Sequence, residues 1–390
     1  MGQPARLCQH FGVCGGCSFQ DIPYQQQLSS KQKRIEQLFG GFPAGDVLPI
    51  IPSPDIYFYR NKMEFVFGEP LCLGLRQRGS FSSIVNIKEC LIFSQKAPGL
   101  LDAARRWAAE SPIPVFALKK QSGVLRYMVT REAKKTGKLM VNMIVSATPY
   151  KFENEFRKYF DRFLEIAGKN NVAVDCFTVG LNDKKTDIAL AEKNYLINGV
   201  PSIEEKIGGL TYIIFPYTFF QPNPLASEKL YGVVREWVAQ DAGSTAVDLF
   251  CGSGGITLWT ADVFEKTIGI EHNPLSVENA LKNAEINGIT NCEFILDRVE
   301  TFVKKLLSST FAMKLSTVII DPPRPGIPRK AVGSIIEMNP RVIIYVSCNP
   351  ETAVSDLQSL SKFYRIEKVQ PVDMFPHTPH IEVVIKMVHR

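Results

Sequence analysis

Val247-Asp248-Leu249-Phe250-Cys251-Gly252-Ser253-Gly254-Gly255 is a short apolar run that breaks into a glycine-rich turn. The pattern predicts a strand, a tight turn and then a helix, with glycines that let the backbone come close to a ligand. The spacing differs from G-x-G-x-x-G, and the G-K-[ST] ending of a phosphate loop is missing. Downstream the same alternation continues. Strand-like runs cover 246–250, 268–271, 292–296, 317–321, 342–347, 363–369 and 381–388, with helical segments such as 273–287 between them. Strand–helix alternation of this kind predicts an α/β fold with a mostly parallel, doubly wound sheet.

Ligands of such sheets sit beyond the carboxyl ends of the strands, so the residues there carry the functional reading. Glu271 closes the second run, where an acid can accept hydrogen bonds from a ribose diol. Asp297 closes the third, within reach of an adenine amino group. With the glycine turn, these acids point to a nucleoside-type cofactor. Val342-Ile343-Ile344-Tyr345-Val346 leads into Ser347-Cys348-Asn349-Pro350 and a helix. A thiol close to a helix N-terminus can have its pKa lowered toward the nucleophilic thiolate. The alternative for a lone cysteine is a small buried residue that plugs the top of a sheet.

The first half reads differently. It opens with Cys8-x5-Cys14-Gly15-Gly16-Cys17, three thiols in a loop that suits a metal ion or an iron–sulfur cluster. Cys90 ends a strand-like run, 85–90, and is the chosen fourth ligand. Cys72 is the competitor, and zinc is the alternative metal. A polar amphipathic helix spans 22–39, stopped by Gly40-Gly41, and a proline-rich link follows. Residues 57–147 look β-rich, with candidate strands 61–67, 71–75, 123–131 and 138–145, and a short helix at 99–110. A helix over 152–166 carries a core stripe of Phe152, Phe156, Phe160 and Phe163. Further strands are expected at 175–179 and 184–190. Basic turns at 76–80 and 134–138 could meet phosphates.

The chain has 390 residues, 45% hydrophobic and 22% charged, with a net charge of +6. Its length suggests two domains, 1–215 and 216–390. No run approaches the roughly 20 apolar residues that span a bilayer. Nothing at the start reads as a signal peptide, so a cytoplasmic location is the expectation. The charge permits an RNA partner without requiring one.

Asp321-Pro322-Pro323-Arg324 resembles motif IV of S-adenosylmethionine-dependent methyltransferases. Together with Phe219-Phe220-Gln221-Pro222-Asn223, the glycine turn, Ser347-Cys348-Asn349-Pro350 and Asp373-Met374-Phe375-Pro376-His377-Thr378-Pro379-His380-Ile381-Glu382, it makes the chain similar to RNA uracil-5-methyltransferases. The cysteine-rich start resembles the iron–sulfur subgroup that acts on 23S ribosomal RNA. The resemblance implies a class I methyltransferase fold in the C-terminal domain. Gln221, Phe250, Gly252, Glu271 and Asp321 would line the S-adenosylmethionine pocket. Cys8, Cys14, Cys17 and Cys90 would hold a [4Fe-4S] cluster in a domain that binds RNA. Cys348 would be the nucleophile and Glu382 the general base. The N-terminal helix, within 20–50, is expected to pack on the catalytic domain. Seven residues precede Cys8, so the TRAM β-barrel of longer members is expected to be absent. Some members have Asn where this chain has Gly255.

The chemistry explains why such residues are needed. Uracil C5 is a poor nucleophile until a thiolate adds to C6, and the methylated adduct then needs a base to remove the C5 proton. A flipped or single-stranded base is expected, with Phe219 or Phe220 available to stack on it. His377 and His380 read as loop-shaping or phosphate-contacting residues. A radical enzyme would use Cys-x3-Cys-x2-Cys, and a cytosine-5 enzyme would want a cysteine near Asp-Pro-Pro. The readings that stay open are a transfer RNA uracil-5-methyltransferase and a non-catalytic RNA-binding iron–sulfur protein. No obligate protein partner is expected, and the chain is read as a monomer.

Overall fold

The computed structural model describes residues 6–42, 45–146, 154–240, 243–308 and 315–390. The chain divides into two compact units. One comprises 1–23, 55–206 and 214–217, and the other 24–54, 207–213 and 218–390.

The second unit is built on an eight-stranded sheet. In spatial order its strands are Asp46–Val47, Tyr364–Val372, Glu382–His389, Val342–Ser347, Leu315–Ile320, Thr245–Leu249, Lys266–Glu271 and Cys292–Leu296. Every neighbouring pair is parallel except the two made by Glu382–His389, which runs antiparallel between its neighbours. The central strands are short, rich in β-branched residues and buried except at the start of Leu315–Ile320, as strands covered on both faces must be. Alternate residues Val247 and Leu249, Ile268 and Ile270, Val318 and Ile320, and Ile343 and Tyr345 belong to one core cluster. A two-residue period puts them on one face of the sheet. That cluster also takes in apolar residues of the helices Tyr24–Phe39, Val299–Leu307, Arg329–Met338 and Pro350–Leu360. Strand order reverses between Thr245–Leu249 and Leu315–Ile320, which is the switch point where such sheets open a ligand crevice.

The first unit carries a seven-stranded sheet in the order Ile84–Asn86, Cys72–Arg76, Lys62–Gly68, Leu125–Glu132, Leu139–Val145, Cys176–Leu181 and Lys193–Gly199. All pairs are antiparallel except Leu139–Val145 with Cys176–Leu181. The helix Asn154–Lys169 lies in that parallel crossover. Its Phe160 and Phe163 pack on Trp107 of the helix Ala97–Glu110, at ring distances of 5.3 and 6.0 Å. Phe156 is also core, whereas Phe152 lies outside the described residues.

Two local expectations need correction. Residues 184–190 form no strand, and the last strand is Lys193–Gly199. The side chain of Arg126 donates to the carbonyls of Asn182, Lys184 and Thr186 at 2.7, 2.9 and 2.5 Å, so these acceptors are taken by a guanidinium rather than a ladder. The run toward Cys90 is strand only over Ile84–Asn86. Beyond it, the Lys88 N–H donates 2.9 Å to His10 Nε2 of the cysteine loop. Among the described residues, no helix is long and apolar enough to cross a membrane.

Candidate active site

Pairing register brings the candidate residues together at the carboxyl edge of the eight-stranded sheet. Leu249 is level with Ile270 on one side and Ile320 on the other. One residue on, Phe250, Glu271 and Asp321 therefore end adjacent strands. Phe250 has φ +66°, a left-handed conformation uncommon for a bulky side chain and characteristic of functional turns. Gly252 and Gly254 follow at +55° and +81°. A Cβ at Gly255 would stand 2.5 Å from the Tyr231 hydroxyl, so that tyrosine fills the space an Asn would need.

Glu271 is buried and its carboxylate accepts from backbone N–H groups of Gly252 at 3.2 Å and of His272 and Asn273 at 2.8 Å. The acid is thereby fixed beside the glycine turn. Ser253 Oγ donates 3.1 Å to the Phe219 carbonyl and ties the turn to the segment 219–223. In that segment Gln221 is buried. Asn223 Oδ1 accepts from Ala226 N at 3.1 Å in the first turn of the helix Pro224–Gln240. Phe220 packs on Tyr212 in the core, whereas Phe219 is 61% exposed. Asp297, at the end of the third strand, pairs with Lys305 at 2.7 Å.

Cys348 and Glu382 come from different strands. Ser347 is level with Val383 in an antiparallel pair. The ladder ends at that pair, and Cys348 is the next residue after Ser347 while Glu382 is the one before Val383, so both leave one paired position. The nearness is felt electrostatically. Burial, then the charges of Glu382 and Asp321, push the Cys348 thiol up to about 11. This corrects the expectation that the helix N-terminus acidifies it. Burial raises Glu382 to about 7, against the pull of Arg324. Asp321 is held well above the carboxylate range by desolvation and by Glu382, and Asp248 is raised to about 7, chiefly by burial. The resting site is thus a cluster of acids and a thiol that favours keeping protons.

The loop before Glu382 is shaped from within the unit. His377 is buried with φ +65°, and its N–H donates 2.9 Å to Gln27 Oε1. His380 lies at the surface of the site, 3.4 Å from Arg324 Nη2. Sequence reading missed Lys31, whose ammonium meets Asp373 at 2.7 Å with both groups buried. It also missed Asp356, which accepts from Tyr345 Oη at 2.7 Å and from Ile327 N at 2.8 Å and so braces the Asp-Pro-Pro-Arg loop. A lysine on the buried face of an amphipathic helix was the available signal for the first.

In the first unit, Cys8, Cys14, Cys17 and Cys90 line one cavity with His10, Gln20 and Leu75. Cys72 is not among its lining residues. Burial pushes Cys17 and Cys90 up to about 12, and neighbouring thiols add to the effect. Such a set gains from a positive centre, because both burial and mutual repulsion oppose bare thiolates. Among the described residues, no group of three or more His, Cys, Asp or Glu side chains forms a site that could hold a metal ion.

Fold and edge residues define a class I α/β methyltransferase. A family model described as tRNA (Uracil-5-)-methyltransferase matches residues 137–390. An uncharacterized RNA methyltransferase of Clostridium tetani is 38% identical over 386 residues, covering 97% of this chain and 82% of that one. Another from Leptospira interrogans is 34% identical and covers 97% of both. The crystal structure of Pyrococcus abyssi tRNA (uracil-54, C5)-methyltransferase, in complex with S-adenosyl-L-homocysteine, superposes with a TM-score of 0.80 at 30% identity, covering 99% of this chain and 86% of that one. The chain belongs to the RNA uracil-5-methyltransferase family, and it is an S-adenosylmethionine-dependent RNA methyltransferase.

Proposed function

We propose that the protein methylates C5 of a uridine through a covalent bond between Cys348 and C6 of the base. The observation that carries this reading is that Cys348 and Glu382 adjoin one paired position, Ser347 with Val383, and that the Glu382 charge acts on the Cys348 thiol. S-adenosylmethionine, when bound, supplies a methyl group on an electrophilic sulfonium. Gln221, Phe250, Gly252 and Glu271 would hold it. The Cys348 thiol gives up its proton to water as sulfur attacks C6, and the negative charge left on the adduct spreads to C5 and the C4 oxygen. Burial and the neighbouring Glu382 favour the protonated form of Asp321, which in that form would donate a hydrogen bond to the ring and stabilise that charge. Once C5 carries the methyl group, Glu382 takes the C5 proton, the C5–C6 double bond re-forms and sulfur leaves as thiolate. With Glu382 near 7, the base is poised to hold and release a proton at working pH.

The proposed target is 23S rRNA, on the strength of the cysteine pattern. A transfer RNA target is the second reading, favoured by the superposition on the Pyrococcus enzyme. Methyl incorporation into 23S rRNA and tRNA that both lack the modification separates the two. The first unit is proposed to bind RNA and to hold a [4Fe-4S] cluster on Cys8, Cys14, Cys17 and Cys90. Each iron of such a cluster takes one thiolate, so its ligands ring a cavity rather than converge on a point. Anaerobically purified protein should be brown and contain iron, and colourless protein with stoichiometric zinc would overturn the cluster.

A further inference from the structure

We infer that Arg34 is a positioning residue that fixes the spacing between the loop carrying Cys348 and the loop carrying Glu382. The inference rests on the reading of those two residues as nucleophile and base. Arg34 lies on the helix Tyr24–Phe39, far from both in sequence. Its Nη1 donates 2.8 Å to the Pro379 carbonyl, three residues before Glu382. Its Nε donates 3.0 Å to Glu351 Oε1, and Nη2 reaches the same oxygen. Glu351 stands in the first turn of the helix Pro350–Leu360, three residues after Cys348. One rigid guanidinium fork therefore spans the two loops that must close on one base.

The same helix face fastens the Glu382 loop further back. Gln27, Lys31 and Arg34 follow the spacing of one helix stripe. Gln27 Oε1 accepts from His377 N, and Lys31 donates to Asp373 at 2.7 Å and to the Phe375 carbonyl at 3.1 Å. Lys31 and Gln27 hold the loop to the helix, while Arg34 reaches across to the Cys348 side as well.

The two halves of the reaction need this spacing unequally. Addition of sulfur to C6 and methyl transfer to C5 need Cys348 and the cofactor. Removal of the C5 proton needs Glu382 placed against the adduct that Cys348 holds. Loosening the spacing should therefore slow the second half selectively.

The test uses full-length protein with Arg34 replaced by Met or Lys, on 23S rRNA and tRNA transcripts made with uridine or 5-fluorouridine. Fluorine at C5 leaves no proton to remove, so the methylated adduct persists on the protein. Arg34→Met should form the fluorinated adduct at a rate within about twofold of wild type, while turnover on uridine RNA falls about tenfold. KM for RNA and for S-adenosylmethionine should stay within about twofold, and covalent adduct with uridine RNA should accumulate. Arg34→Lys should recover part of the turnover, since an ammonium is one point charge where the guanidinium is a fork. The ion pair is partly exposed, so Arg34→Met should fold. Unchanged turnover would overturn the inference. So would an equal fall of both readouts with a lower melting temperature, which would mean a general structural role. Wild type that forms no adduct with fluorinated RNA would instead overturn the reading of Cys348.

Discussion

Replacing Lys31 by Met should destabilise the second unit markedly, although the ion pair it breaks gains little by itself. Burial lowers the Lys31 pKa and outweighs the attraction of Asp373, the mark of a pair whose desolvation offsets its Coulomb energy. What costs is leaving half of it behind. Asp373 is fully buried, and without the ammonium it keeps the Tyr24 hydroxyl at 2.9 Å and Phe375 N at 3.1 Å. Breaking a buried pair costs about 3–5 kcal/mol, and those two surviving donors put this case at the low end, about 3 kcal/mol. For a domain of this size that is a fall of roughly 6–12 °C in Tm. Adding Asp373→Asn removes the orphan charge and keeps an acceptor for Tyr24, so the double variant should recover about 1–2 kcal/mol. Scanning calorimetry of wild type, Lys31→Met, Asp373→Asn and the double variant measures both quantities. A shift below about 2 °C for Lys31→Met, or a double variant as unstable as the sum of the singles, would refute the reasoning.

Glu382 is raised by folding to about 7, so its contribution to stability is present below the unfolded value of 4.5 and is lost as pH rises through about 7. Glu382→Gln should therefore gain on wild type by about 3 kcal/mol between pH 4.5 and 8, read from urea unfolding at each pH. Proton removal by wild type should rise over the same window, with a midpoint near 7 in the pH profile of product release. Gly255→Ala should weaken S-adenosylmethionine binding and cost about 1–3 kcal/mol of stability through its clash with Tyr231, and Tyr231→Phe should restore most of both in calorimetric titration. Cys90→Ser should abolish the cluster absorbance and lower the melting temperature of anaerobic protein, whereas Cys72→Ser should leave the absorbance intact.

The α/β sheet was legible because its strands are short continuous runs of Val, Ile and Leu, closed by Gly or Pro turns and separated by helical stretches. Its strand order was not, because helices of similar pattern can return the chain to either side. Glu382 lies 34 residues beyond Cys348, and only the antiparallel insertion of Glu382–His389 beside Val342–Ser347 makes them neighbours. Periodicity found the helix Tyr24–Phe39, but no local signal pairs Lys31 with an aspartate 342 residues away. The strand expected at 184–190 failed because the side chain of Arg126, reaching from another strand, takes the carbonyls. The thiol of Cys348 was expected to be acidified by one helix terminus. Two carboxyl groups and burial outweigh that end effect, and their convergence depends on tertiary pairing.

The central claim is a bond between Cys348 sulfur and uracil C6, broken only after Glu382 takes the C5 proton. Glu382→Gln incubated with methyl-labelled S-adenosylmethionine and uridine RNA, then digested and analysed by mass spectrometry, tests it directly. A Cys348 peptide carrying a nucleotide with the labelled methyl group is the predicted product. Methylated RNA released at the wild-type rate with no conjugate, or full turnover by Cys348→Ala, would contradict the account.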